Sequence, residues 1–292
     1  MMTLPLVVGV DGSGASLLAV DWAVDEAARH GLPLRLVHAS RWERYERFVP
    51  SGGLDRPSER VVAENLVAAA AERAELRDPQ VKVTADVVAD DAADALLREA
   101  NDAFAVVTGS RGRGELKGLL LGSVGLAVAA RAHCPVIVVR GDKPGLAGSH
   151  GRVLLGAGEP VTCAEAARFA FREAEARDCG LDVVRAWRCP AHESADDPAL
   201  AEEPVRRHEE RASALLDALL RDGVTDHSAV RVRRVTAEGP AHSVLVRRSA
   251  AADLVIVGAR RRRGHLGLQI GRVAHTLLHH ADCPVAIVPQ TV

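Results

Sequence analysis

The residues best suited to chemistry lie in one glycine-rich stretch: Gly109-Ser110-Arg111-Gly112-Arg113-Gly114-Glu115-Leu116-Lys117-Gly118-Leu119-Leu120-Leu121-Gly122-Ser123-Val124. Two residues separate Gly109 from Gly112, and nine more lead to the pair Gly122-Ser123. Glycines let a backbone turn sharply and leave its N–H groups open to an anion. Gly122-Ser123 stands where a helix is expected to open, and a helix start offers free N–H donors and partial positive charge. Ser123 adds a hydroxyl donor and is also a residue type that caps helices. The pattern suits a polyphosphate, and glycines that merely close turns are the plainer alternative. No Gly-Lys-Ser/Thr follows, so the stretch is not a Walker A loop. Gly112-Arg113-Gly114 with Gly118 matches a dinucleotide fingerprint only weakly, because that fingerprint normally follows a first strand and this one follows a fourth.

Other candidates carry less. Asp11, ahead of Gly12-Ser13, has the type and place of a turn aspartate. His275 and His279 have the four-residue spacing of a metal pair, yet no glutamate completes an HExxH motif and no third ligand is evident. Ordinary surface or interface histidines are the expectation. Cys134, Cys163, Cys179, Cys189 and Cys283 are odd in number and lack a CxxC spacing, which excludes a zinc ribbon and argues against a disulfide framework. Cys134 and Cys283 each precede a proline and are expected as small buried residues. Asp90-Asp91 and Asp196-Asp197 are expected to be solvated. There is no Gly-x-Ser-x-Gly elbow, and Tyr45, the sole tyrosine, has no lysine four residues on. No catalytic residue and no metal ligand are assigned.

The elements that must hold the glycine stretch come in two copies. Val106-Val107-Thr108-Gly109-Ser110-Arg111 aligns with Val255-Ile256-Val257-Gly258-Ala259-Arg260 at an offset of 149, which also pairs Gly122 with Gly271 and Cys134-Pro135-Val136 with Cys283-Pro284-Val285. Near the start the offset is 147, pairing Gly9 with Gly156. The repeat is a whole domain, not a solenoid unit. This agrees with the 292-residue length, which suggests two domains. Domains over 1–140 and 152–292 are expected, with a Gly-rich joint at 141–151. Each copy alternates short apolar runs with helical spacing. In the first, strands are expected at 6–10, 34–39, 81–88, 105–108 and 136–139, with helices at 16–30, 57–77, 92–101 and 123–132. In the second, strands are expected at 153–157, 181–186, 230–235, 254–257 and 285–288, with helices at 164–177, 202–221, 241–249 and 272–280. Regular βα alternation implies an α/β protein with a parallel, doubly wound sheet, whose ligands bind beyond the C-terminal strand ends.

Composition removes several classes. The 37 basic and 39 acidic residues leave a formal charge of −2, and aromatics are 3%. Neither a broad nucleic-acid surface nor a base-stacking platform is expected. No apolar run reaches the roughly 18 residues that span a bilayer. Met1 to Val10 has no basic region and does not read as a signal peptide. Reducing cytoplasm is the expected location.

Three features together resemble the universal stress protein family: Val8-Gly9-Val10-Asp11-Gly12-Ser13, the spaced glycine loop, and Cys134-Pro135-Val136-Ile137-Val138-Val139. The likeness covers essentially the whole chain as two tandem copies. It implies two tandem Rossmann-like (adenine nucleotide alpha hydrolase-like) domains, each with a five-stranded parallel sheet flanked by helices. One branch of the family binds ATP through this loop, and another lacks the motif and does not. By resemblance, Gly109, Gly112, Gly122, Ser123 and Val124 match the phosphate and ribose loop. Val10 and Asp11 match the nucleotide-facing end of the first strand, and the backbone of Ala39 matches an adenine contact. Gly125 departs from the Ser or Thr of many ATP-binding members. The implied ligand is ATP with magnesium on its phosphates. The implied role is regulatory or sensory in a stress response, without a general catalytic reaction. Pairing of the two domains within the chain and a homodimer are the implied assemblies.

The second copy departs further. Arg261 replaces the second glycine, Arg272 replaces the serine, and Gly158 occupies the Asp11 position. Arginines can clamp phosphates bidentately, or the second site is degenerate and the run Arg260 to Arg263 is solvated. Rival readings of the whole are a slow ATP hydrolase or nucleotidyl-transfer enzyme on the same scaffold, and an interaction module that binds no nucleotide.

Overall fold

The structure is a computed structural model and describes residues 3–40, 59–110, 121–189, 198–260 and 270–290. Two compact units divide the chain, Met1–Val139 and Arg140–Val292.

In the first unit the order is β1 (Leu6–Gly9), α1 (Gly14–His30), β2 (Leu34–Ala39), α2 (Glu59–Arg77), β3 (Val83–Val88), α3 (Ala92–Glu99), β4 (Ala105–Gly109), α4 (Ser123–Arg131) and β5 (Val136–Val139). The strands pair in parallel in the order β3-β2-β1-β4-β5. Strands of Leu, Val and Ile with no exposed face are what a sheet covered on both sides requires. Leu6, Val7, Val8, Leu34, Leu36, Val106, Val107 and Ile137 are accordingly sealed from solvent. Burial of each such side chain stabilises the fold by about 1.5–3 kcal/mol. Successive strand residues face opposite ways. Gly109 faces α1 while Thr108 faces α4, so those helices cover opposite sides of the sheet. α1 packs on α2, Ala19, Ala23, Ala63, Ala70 and Ala74 of these helices are buried, and the pairs Arg73–Asp21 (2.6 Å) and Arg77–Asp25 (2.7 Å) join the two.

In the second unit α5 (Lys143–Ala147) precedes β6 (Arg152–Gly156), α6 (Ala164–Ala176), β7 (Gly180–Trp187), α7 (Pro198–Asp226), β8 (Val232–Glu238), α8 (Ala241–Ser249), β9 (Leu254–Arg260), α9 (Arg272–His280) and β10 (Val285–Gln290). Its strands are also parallel, in the order β10-β9-β6-β7-β8. The core gains bulk from Phe169 and Phe171 of α6. Gly223 of α7 sits directly on Phe171, where an added Cβ would lie 2.2 Å from the ring.

Several boundaries differ from expectation for local reasons. α1 starts two residues early because Ser13 caps it, its hydroxyl accepting from the Ser16 N–H at 3.2 Å. α7 begins before Glu202 and continues through Pro204. β8 runs over Val232–Glu238, shifted from 230–235. Residues 143–147 are not bare linker: Asp142 caps a short helix, accepting from Gly145 N–H at 2.9 Å, and Gly148 closes it in the left-handed region. Gly141 packs so tightly against Asp282 that a Cβ would lie 2.2 Å from its carbonyl oxygen. Asp91 is not simply solvated but caps α3, accepting from Ala93 N–H at 3.0 Å. Asp196 and Asp197 lie outside the described residues.

One matched position reverses its charge. Arg35 on β2 bonds Glu99 (2.7 Å) and Asp86 (2.6 Å), and these carboxylates hold its guanidinium above its ordinary pKa, Glu99 first. At the offset of 147 stands Asp182 on β7, which accepts from Arg152 (3.2 Å) and Arg233 (2.9 Å).

Candidate functional site

β1 lies between β2 and β4, so the strand order reverses beside it, which is where open α/β sheets bind ligands. Several residues singled out from the sequence converge at that edge. Val10 leaves β1, donates its N–H to Val37 O (2.9 Å), and its carbonyl meets His38 Nδ1 at 2.7 Å. Asp11 follows and Gly12 turns at φ 76°. The Asp11 Oδ1 accepts from Ser13 N–H at 2.9 Å, so this carboxylate builds the turn that leads into α1. Ala39 ends β2 opposite Val88 on β3, two pairs beyond Val37, the residue that faces β1's Gly9.

Gly109 ends β4 for a steric reason. A Cβ there would lie 2.5 Å from the Ala15 carbonyl oxygen and 2.9 Å from Ser16 N, both backbone atoms of the first turn of α1. This close approach brings β4 and α1 together. Ser110 N–H donates to Val139 O (3.0 Å), and Ser110 O accepts from Gly122 N–H (2.9 Å), so the chain returns to its point of departure and α4 starts beside the β4 end. The N-cap of α4 is Gly122, with φ −71° and ψ 150°, and no side chain bonds its first turn. Ser123 is therefore the first helical residue and not the cap. Its hydroxyl does not close the helix end, and the N–H groups of Ser123, Val124 and Gly125 face outward without intrahelical acceptors. Leu126 N–H makes the first return bond, to Gly122 O at 3.1 Å. Gly112 lies outside the described residues, as do Lys117 and Arg261.

The comparisons with known proteins show the family. The model of the universal stress protein family matches residues 2–140 and again 150–289. The chain belongs to the universal stress protein family. Universal stress protein Rv2005c of Mycobacterium tuberculosis is 34% identical over 293 residues, covering 98% of this chain and 97% of the relative. Universal stress protein Rv2623 of the same organism is 29% identical over 308 residues, covering 99% and 97%. A solved universal stress protein from Archaeoglobus fulgidus superposes with a TM-score of 0.68 over 100% of both chains at 16% identity, a likeness of fold. The chain is thus a tandem member of the family, with a Rossmann-like parallel sheet in each unit.

The corresponding edge of the second unit is built differently. Gly158 stands where the first unit has Asp11, and next to it Glu159 is held by Arg185 at 2.5 Å. Arg185 is the counterpart of His38 and reaches the Ala157 carbonyl at 3.4 Å, the counterpart of the His38–Val10 contact. Cys163 begins α6 without a side-chain cap. Gln290, buried at the end of β10, supplies the missing acceptor to Glu165 N–H at 3.2 Å. Arg272 is exposed as the first residue of α9, after Gly271, again with no side-chain cap. A cation at this end opposes the helix dipole.

The remaining candidates resolve plainly. His275 and His279 have ring centroids 4.4 Å apart, and no third His, Cys, Asp or Glu among the described residues joins them. Burial lowers the His279 pKa, with His275, His280 and Arg140 adding to the effect. None of the five cysteines is in a disulfide. Burial pushes the Cys134 thiol up to about 11 and raises those of Cys163, Cys179 and Cys283. No helix among the described residues is long and apolar enough to cross a membrane.

Sequence reasoning missed Thr108. Its hydroxyl is buried in β4 without a hydrogen-bond partner. The available signal was a polar residue inside an otherwise apolar central strand, at a position where the second copy has Val257.

Proposed function

We propose that the first unit binds an adenine nucleotide, ATP, with its phosphates at the N-terminus of α4 and its base toward Ala39. Occupancy, not turnover, would be the signal. The observation that carries this reading is the start of α4 on Gly122, uncapped, beside the β1–β4 reversal of strand order. Among the described residues the backbone N–H groups there have no other partner, and the helix dipole favours an anion. Gly109, Gly122, Ser123 and Val124 border that point and Gly112 belongs to the same loop. Val10 and Asp11 form the adjacent wall, and the Asp11 carboxylate is the group suited to a ribose hydroxyl or to magnesium on the phosphates. The resemblance of the loop to the ATP-binding branch of the family supports the same assignment.

The second unit is read as a non-binding copy. Its acidic group is paired with Arg185, and Arg272 replaces the first-turn serine. Isothermal titration calorimetry with ATP tests the proposal. Wild type should bind one ATP per chain, and Gly122→Arg, which fills the helix start with a side chain, should abolish binding. A silent wild type, or undiminished binding by Gly122→Arg, refutes it.

A further inference from the structure

The floor beneath α4 holds a polar group that the fold alone does not account for. Thr108 on β4 is 5% exposed, and its Oγ1 is shielded and makes no hydrogen bond among the described residues. It faces α4: a Cβ built on Gly125 would stand 3.2 Å from that oxygen and 3.5 Å from Leu121 Cδ1. Gly125 is the third residue of α4, within the turn whose N–H groups lack intrahelical acceptors. The second unit supplies a control. At the offset of 149 it has Val257 for Thr108 and Ala274 for Gly125, both buried. Where the strand residue is apolar, the helix position carries a methyl group and the space is filled. Where the strand residue has a hydroxyl, the helix position is glycine, and a methyl group there would crowd that hydroxyl. A buried hydroxyl without a partner costs stability that a valine of the same shape would not, so its presence calls for a partner that arrives from outside.

We propose that Thr108 is a ligand-binding residue of the first unit. Its hydroxyl donates to a phosphate oxygen seated on the first turn of α4. That oxygen reaches it over Gly125, whose lack of a Cβ keeps the hydroxyl uncrowded, once the Leu121 side chain turns aside. This rests on the anion site proposed above and extends it from the helix end down to the strand. It adds a contact from a side chain to a site otherwise made of backbone.

The test pairs binding with melting of the ligand-free protein. Thr108→Val should weaken ATP binding about tenfold, the loss of a hydrogen bond to a charged group, while leaving the ligand-free melting temperature unchanged or raised. Thr108→Ser should bind like wild type, and Gly125→Ala, which crowds the hydroxyl, should weaken binding. Should Thr108→Val melt lower, Thr108→Ser decides: wild-type affinity upholds the proposal and weakened affinity overturns it. Undiminished ATP binding by Thr108→Val overturns this role for Thr108 and leaves the nucleotide reading intact. Inorganic pyrophosphate separates the reverse case. If wild type binds pyrophosphate but not ATP, and Thr108→Val binds it more weakly, the nucleotide reading falls and the Thr108 contact stands. If wild type binds neither, both are refuted.

Discussion

Gly109 and Gly258 occupy the same motif position in the two units, yet their replacement by alanine should have unequal cost. At Gly109 the new Cβ would stand 2.5 Å from Ala15 O and 2.9 Å from Ser16 N. Both obstacles are backbone, in a helix turn anchored by the Ser13 cap, so neither can rotate away. α1 and β4 must separate by about an ångström, and overpacking of this kind costs about 3 kcal/mol. For a unit of Met1–Val139, with about 4 °C of melting temperature per kcal/mol, the expected drop is roughly 12 °C. At Gly258 the nearest atoms are Gln290 Nε2 at 3.1 Å, Gln290 Cδ at 3.2 Å and Thr162 O at 3.2 Å. Part of that obstruction is a side chain and the shortfall is a few tenths of an ångström, so a cost of about 1 kcal/mol is expected. Gly14→Ala is the control, with nothing within 4 Å of its new Cβ; it should be neutral or stabilise by about 0.5 kcal/mol. Urea denaturation followed by circular dichroism, with calorimetric melting, measures all three. If Gly109→Ala is as stable as wild type, or Gly258→Ala is the worse of the two, the steric account of the motif glycine is wrong. The result also bears on binding studies, because lost ATP affinity in Gly109→Ala would report a displaced strand as much as a missing contact.

Other expectations follow from the ion pairs, thiols and caps. Asp182→Ala strips Arg152 and Arg233 of their shared acceptor and should lower the stability of the second unit by about 1–2 kcal/mol, read by denaturant midpoints, with little change in the first unit. Of the five cysteines only Cys189 is not buried, so Ellman's reagent at pH 8 should modify about one thiol per native chain, with mass spectrometry placing it at Cys189. A thiol raised to about 11 is thiolate in roughly one molecule in a thousand at that pH; rapid native labelling of Cys134 would contradict its burial. The lowered pKa of His279 means that the unfolded chain takes up this proton at higher pH than the folded one. The stability it contributes is present above the ordinary histidine pKa of about 6.5 and is lost as pH falls through the folded value. His279→Gln should therefore flatten the acid limb of the second unit's pH–stability curve. Asp91→Ala removes the α3 cap and should cost about 1 kcal/mol.

The alternation of elements was legible because each strand is a short apolar run and each long helix has a compact small-residue face, as in Ala19, Ala23 and Ala27 of α1. The duplication was legible in the shared offsets alone. Tertiary contacts were not. Nothing local in Gly109 announces the Ala15 carbonyl above it, so a packing glycine and a phosphate-cradling glycine read alike. Ser123 resembled a cap because serine is a preferred cap residue, but the φ and ψ of Gly122 place the helix start one residue earlier. Thr108 escaped notice because threonine is a good strand former, and only the opposing Gly125, where a Cβ would crowd its hydroxyl, sets it apart. Arg185 and Glu159 lie 26 residues apart, a separation that no reading of the altered second loop would have joined.

The charge reversal between Arg35 and Asp182 has a consequence for how the chain folds. Two copies of one topology tethered in a single polypeptide invite exchange, with a strand of one copy seated in the sheet of the other. If β2 took the place of β7, Arg35 would enter a position already flanked by Arg152 and Arg233. If β7 took the place of β2, Asp182 would face Asp86 and Glu99. Like charges in such neighbouring positions are destabilising, and misassembly between similar domains is a characteristic failure of tandem chains. The opposite polarities are therefore expected to disfavour such exchange, each sheet carrying charges that repel its sibling's strand. A triple reversal in the second unit, Asp182→Arg with Arg152→Glu and Arg233→Asp, would match its polarity to that of the first and should lower the yield of correctly refolded protein. An unchanged yield would show that the hydrophobic register alone keeps the copies apart.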